Sequence, residues 1–153
     1  MIVYRLSKGK FRNDLSGKGA ELAGGRWNSK GTAMVYTSQS RALCTTEIAV
    51  HTPLGIMPED YFLVSISVPD KSSIIEIAVK DLEPAWRKFP HPHFTQQLGD
   101  AFVQDNKFLV LKVPSAVVPG DFNFLLNPAH SDFKKVKISA SEPFEFDERL
   151  FIK

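Results

Sequence analysis

Residues 108–126 read FLVLKVPSAVVPGDFNFLL. An apolar run, Phe108–Val113, stops at Pro114, and a second short run, Phe122–Leu126, begins beyond a turn. Short apolar segments punctuated by proline and glycine predict strands rather than a helix. Val117–Val118 between them is a further short strand candidate. Downstream, Val136–Ser139 and Glu145–Phe146 are similar candidates, so turns and strands dominate the last third of the chain.

Working back towards the start, His93–Asn106 predicts a helix with Phe94, Leu98, Ala101 and Phe102 on one face. Pro84 to Pro92 is a proline-punctuated loop. Ser73–Ala78 and Tyr61–Val68 predict strands. In the latter, Phe62, Val64, Ile66 and Val68 alternate with Ser65 and Ser67, the pattern of a half-buried strand. Ser40–Thr52 predicts a helix, with Ser38 or Ser40 as N-cap and Pro53 as stop. Ala33–Ser38 and Met1–Leu6 are further strands. Residues 7–31 hold six glycines and read as a long loop. Strands outnumber helices, which favours a mostly antiparallel α+β fold over a doubly wound parallel one. The 153 residues suit one domain spanning residues 1–153.

Hydrophobic residues make up 43% and charged residues 24%, an ordinary globular mix. The single cysteine, Cys44, allows no internal disulfide, which agrees with a reducing, cytoplasmic setting. The first residues carry too short an apolar run for a signal peptide. No stretch approaches the roughly 20 apolar residues of a spanning helix, so no membrane association is expected. The formal net charge is +2, and the densest basic cluster is KKVK at 134–137. That footprint is too weak to imply direct nucleic-acid binding.

Few side chains carry candidate chemistry. In AGGRWNSKG (23–31), two glycines and a turn at Asn28–Gly31 hold Arg26 and Trp27 in place. Arg26 is a surface ion-pair partner or an anion-recognition fork, with neighbouring glycine N–H groups reaching the same anion. On the Ser40–Thr52 helix, Ala42, Leu43, Thr46, Ala49 and Val50 form the apolar stripe, and Glu47 falls at its edge. Glu47 is then a boundary residue or a carboxylate aimed into a cleft, able to steady developing positive charge. Tyr36, and equally Tyr4 and Arg5, read as strand packing or as contacts to a planar ligand. Ser115 follows a proline with no GxSxG elbow, so it is not a hydrolase nucleophile. Asn123 and Asn127 satisfy turns. His51, His91, His93 and His130 show no metal-ligand spacing beside one cysteine, so no metal site is expected.

Taken together, Tyr4-Arg5, then LSGKGAELAGGRWNSKGTAMVYTSQSRALCTTE and later VPSAVVPGDFNFLLNPAHSDF resemble the RES domain, named for its arginine, glutamate and serine. The resemblance runs from Tyr4 to about Arg149. The chain departs from the usual pattern at Cys44, Glu21 and Leu22, none of them a proposed catalytic position. The resemblance implies an ADP-ribosyltransferase-like fold with a cleft for NAD. It also implies a bacterial toxin that consumes NAD by hydrolysis, phosphorolysis or transfer of ADP-ribose to a protein. The arginine, glutamate and serine correspond to Arg26, Glu47 and Ser115, and Tyr36 takes the place of the family's strand tyrosine. The implied roles are Arg26 on the diphosphate, Tyr36 stacking on nicotinamide, and Glu47 stabilising the ribosyl oxocarbenium ion. Ser115 is expected to orient nicotinamide or ribose, and Tyr4 and Asn123 complete the expected NAD contacts. The implied partner is an Xre-type antitoxin with a helix-turn-helix domain, and a cleft lined by Arg26 suits an acidic or carboxylate-ended plug. A modifier of one specific host protein and a non-catalytic NAD-binding module are the alternatives.

Overall fold

Tyr4 marks the place where the sheet divides. The computed structural model describes residues 1–152, and seven of its strands join in one sheet. In chain order they are β1 (Ile2–Lys8), β2 (Val35–Ser38), β3 (Tyr61–Ser67), β4 (Ile74–Glu76), β5 (Val110–Pro114), β6 (Phe122–Leu126) and β7 (Lys137–Phe144). Their spatial order is β4-β5-β6-β2-β1-β3-β7. All neighbours run antiparallel except β4 and β5, so the fold is the expected α+β type. β1 pairs with β3 from Ile2↔Ser67 to Lys8↔Tyr61, but with β2 only at Tyr4↔Ser38. The sheet is therefore two half-sheets joined at one register position, and they splay apart beyond it.

Three helices accompany the sheet: α1 (Lys18–Ala23), α2 (Arg41–His51) and α3 (His93–Asp105). The segment expected as one long loop thus contains α1, six residues too short to show a period. Ser40 caps α2, its hydroxyl accepting from the Leu43 N–H at 3.1 Å. The helix packs against both β1 and β2 and so bridges the divide. Among the described residues, no helix is long and apolar enough to cross a membrane.

Several expected faces are rotated. On α2 the buried residues are Leu43 and Cys44, whereas Ala42 and Val50 are exposed. The helix turns that side to Leu6, Leu63, Phe146 and Phe151, a cluster built from distant segments. On α3 the buried face is Thr95, Gly99 and Phe102, while Leu98 and Ala101 face outward. β3 is packed on both sides rather than half-buried: Val64 and Ile66 join one cluster and Leu63 another. Val117–Val118 is a bend and not a strand, because both amides are drawn to Ser115. Glu145–Phe146 lies outside β7.

Candidate active site

The Arg26 loop owes its shape to buried polar groups. Gly25 N–H donates to the Asn28 carbonyl at 2.9 Å, so Arg26 and Trp27 are the corners of a tight turn that precedes the expected Asn28–Gly31 turn. A Cβ on Gly25 would lie 2.7 Å from the Tyr36 hydroxyl, so only glycine fits there. Trp27 goes into the core, its ring 6.3 Å from that of Trp86. Asn28 is fully buried and serves as the hub. Its Nδ2 donates to the carbonyls of Ala20, Ser29 and Thr32 at 2.8, 3.2 and 3.0 Å. Its Oδ1 accepts from the Tyr36 hydroxyl at 2.6 Å, and that hydroxyl accepts from Trp27 N–H at 3.0 Å. From α3, Gln96 Nε2 donates to the Gly25 carbonyl at 2.9 Å, and Asp100 accepts from Ser29 N–H at 2.9 Å. Gln96 and Asp100 had no signal in the sequence beyond polarity, because their partners are backbone groups.

Arg26 itself is half committed. Its Nη1 donates to the carbonyls of Trp86 at 2.6 Å and Lys88 at 3.0 Å, in the proline-punctuated loop. The glycine amides are spent as well: Gly24 N–H goes to Ala20 and Gly25 N–H to Asn28. The anion nest expected from glycine N–H groups beside Arg26 is therefore absent among the described residues. Burial holds the guanidinium below the ordinary arginine value, and Glu47 opposes that effect. Arg87 makes a second tie, with Nε donating to the Ala116 carbonyl at 3.1 Å. The loop is thus fastened to the Arg26 turn on one side and to the Ser115 segment on the other.

Glu47, Ser115 and Asn123 meet although 68 and 76 residues separate the first from the others. The register explains it. Asn123 lies opposite Ser38 on β2 and opposite Val113 on β5, and Ser115 follows just beyond the end of β5. Asn123 Nδ2 donates to Glu47 Oε1 at 2.9 Å, and the Ser115 hydroxyl donates to the same oxygen at 3.1 Å. Among the described residues no hydrogen bond reaches Oε2. Ser115 is 2% exposed, and its oxygen accepts from the N–H groups of Val117 and Val118 at 3.1 and 3.0 Å. It is not among the residues that line the two cavities described below.

Two cavities open here. One, of about 470 Å³, fills the splay between the half-sheets and is lined by Tyr4, Arg5, Asp14, Tyr36, Thr37 and Glu47 among others. The second, of about 400 Å³, is lined by Gly25, Arg26, Tyr36, Glu47, His51 and His91 among others. Ala20, Tyr36, Glu47 and Asn123 line both. Arg5 sends Nη2 to the Phe11 carbonyl at 2.9 Å and is held below its ordinary value by burial, with Asp14 opposing. Burial also raises the Tyr36 phenol above its ordinary value, so it stays protonated. His91 is pushed down by burial, then by Arg26 and His51. Among the described residues, no group of three or more His, Cys, Asp or Glu is placed to hold a metal ion.

A split antiparallel sheet with a clamped carboxylate at the junction of two cavities defines the class of site. The chain belongs to the RES domain family, whose model matches residues 2–147. It is 38% identical over 143 residues to the "Prs ADP-ribosylating toxin" of Sphingobium sp. (strain YBL2), covering 92% of this chain and 89% of the relative. It is 37% identical over 155 residues to "Toxin Res" of Pseudomonas putida, covering 99% and 100%. A chain of the M. tuberculosis MbcT–MbcA toxin–antitoxin complex has the same fold, with a TM-score of 0.74 at 21% identity, over 98% of this chain and 86% of that one.

Proposed function

We propose that this chain is the toxin of a toxin–antitoxin pair and breaks the nicotinamide–ribose bond of NAD. The observation that carries the reading is Glu47. Its carboxylate is clamped through one oxygen and stands between two cavities, each holding one arginine. A dinucleotide is two-headed and needs such a paired space. Membership of the RES domain family and the ADP-ribosylating toxin among its relatives support the same substrate.

The chemistry follows from charge. The nicotinamide of NAD is a cationic pyridinium. It leaves with the electron pair of the C–N bond and becomes neutral, so it needs no proton from the protein. The positive charge passes to the ribosyl C1′ as an oxocarbenium ion. Glu47 stabilises that ion, directly or by accepting a hydrogen bond from a ribose hydroxyl. The Tyr36 ring, which lines both cavities, stacks on a planar part of the substrate. The remaining donors of Arg26 and Arg5 meet the diphosphate, with Tyr4 beside them. An acceptor oxygen then bonds to C1′: water or a hydroxyl releases its proton to solvent, and a phosphate O⁻ has none to release.

With water or phosphate as acceptor the cellular NAD pool is drained. A protein side chain as acceptor is the second reading, favoured by the name of the Sphingobium relative. In the cell the chain would be silenced by an antitoxin of the Xre helix-turn-helix type whose acidic or carboxylate-ended segment plugs the cleft. The test is product identity. Purified chain is incubated with NAD, with and without phosphate, and with a cell extract. Nicotinamide with ADP-ribose, with its phosphorylated form, or with a protein gaining the mass of ADP-ribose names the acceptor. Intact NAD in all three mixtures overturns the proposal.

A further inference from the structure

We infer that Ser115 and Asn123 are positioning residues that act on the reaction only through Glu47, leaving Oε2 as the oxygen that faces substrate. This rests on the proposed NAD chemistry for its kinetic part but not for its structural part. The hydrogen positions follow from counting. The Ser115 oxygen already accepts two backbone N–H groups, so its lone pairs are filled and its single proton points to Glu47 Oε1. The Asn123 amide is oriented by the Ser38 hydroxyl, which donates to its Oδ1 at 2.7 Å. That leaves Nδ2 directed at Glu47 Oε1.

Two donors on one oxygen fix the carboxylate's rotation as well as its position. They come from neighbouring strands of one half-sheet, one just after β5 and one on β6, while Glu47 rides on α2, which bridges the seam. Oε1 has no reason to leave this pair during catalysis. Oε2 carries the undivided task of facing positive charge, and it is the oxygen at which a ribose hydroxyl would donate. Ser115, 2% exposed and saturated, has no free group for nicotinamide. Asn123 lines both cavities, with its Oδ1 taken by Ser38 and one of its two amide hydrogens held on Glu47.

The test compares Ser115→Ala, Asn123→Ala and Asn123→Asp with the native chain. NAD affinity is measured by calorimetry and turnover by nicotinamide release. The expected result is a kcat loss of about 10- to 100-fold in each variant, with NAD affinity within about twofold. The double Ser115→Ala/Asn123→Ala variant loses less than the product of the two, because both act on one group. Asn123→Asp, nearly isosteric, places a second carboxylate against Glu47, and its activity recovers as pH falls and the new group takes up a proton. An affinity loss above tenfold with kcat unchanged would show direct substrate contact and overturn the inference. Crystal structures of the variants decide the structural claim whatever the activity. A Glu47 side chain that leaves its place supports it, and one that stays put in the double variant overturns it. A native chain that neither binds nor consumes NAD overturns the proposed function alone.

Discussion

Gly99 lies directly beneath the Trp27 carbonyl. A Cβ built on Gly99 would stand 1.6 Å from that oxygen and 2.7 Å from its carbon. The helix α3 thus touches the Arg26 turn backbone to backbone, and Gln96, about one turn before, and Asp100, the next residue, complete the contact. Gly99→Ala forces turn and helix apart. The expected cost is about 3 kcal/mol, typical of severe overpacking, or about 6–12 °C in Tm for a chain of this size. NAD turnover should fall with it, since Arg26 moves. The control is Gly19→Ala on α1, where a Cβ meets nothing within 4 Å. Thermal melts should place that variant at or above the native chain.

Tyr36 has two separable parts. Its hydroxyl holds the turn through Asn28 and Trp27, and its ring lines both cavities. Tyr36→Phe leaves Asn28 Oδ1 and Trp27 N–H without a partner, at a cost of about 1–3 kcal/mol. NAD affinity, measured below the melting range, should stay within a few-fold. Tyr36→Ala should lose affinity at least tenfold. Equal affinities in the two variants would remove the ring from the substrate contact.

His91 reports on the loop that Arg26 fastens. Its folded-state value is depressed, by burial first and then by Arg26 and His51. The stability this contributes is present above the unfolded pKa of about 6.5 and is lost as pH falls through the lower folded value. In Arg26→Met the positive charge and the ties to Trp86 and Lys88 both go. The His91 midpoint, followed by NMR, should then rise, and amides near Lys88 should exchange faster. An unmoved midpoint would mean that Arg26 does not hold this loop in solution.

Cys44 is 4% exposed and burial pushes its thiol up to about 11. At pH 7.4 iodoacetamide should label it on the order of a hundredfold more slowly than a free thiol. Labelling should reach completion in denaturant. Fast labelling of the folded chain would contradict the packing of α2 on β1.

What the sequence disclosed follows from what physics is local. The antiparallel strands were legible because alternation and proline turns sit in consecutive residues. Ser40 as a cap was legible for the same reason. The buried faces of α2 and α3 were not. Cys44 faces inward because Phe146 and Phe151 arrive from the far end of the chain, and Gly99 is buried because a carbonyl needs the space. Residue type and resemblance single out Arg26, Tyr36, Glu47 and Ser115. Their geometry waited on the register of β2, β5 and β6. The partners of Arg26 are backbone carbonyls, which no side-chain motif encodes.

In the proposed reaction Glu47 drives the cleavage of NAD. The most direct measurement is nicotinamide release by the native chain and by Glu47→Gln, each shown by thermal melting to be equally folded. Glutamine keeps the length of the side chain and an oxygen for Ser115 and Asn123 but removes the charge. That role predicts steady release by the native chain and a loss of about 10²–10³ in the variant. Equal rates from the two proteins would contradict it.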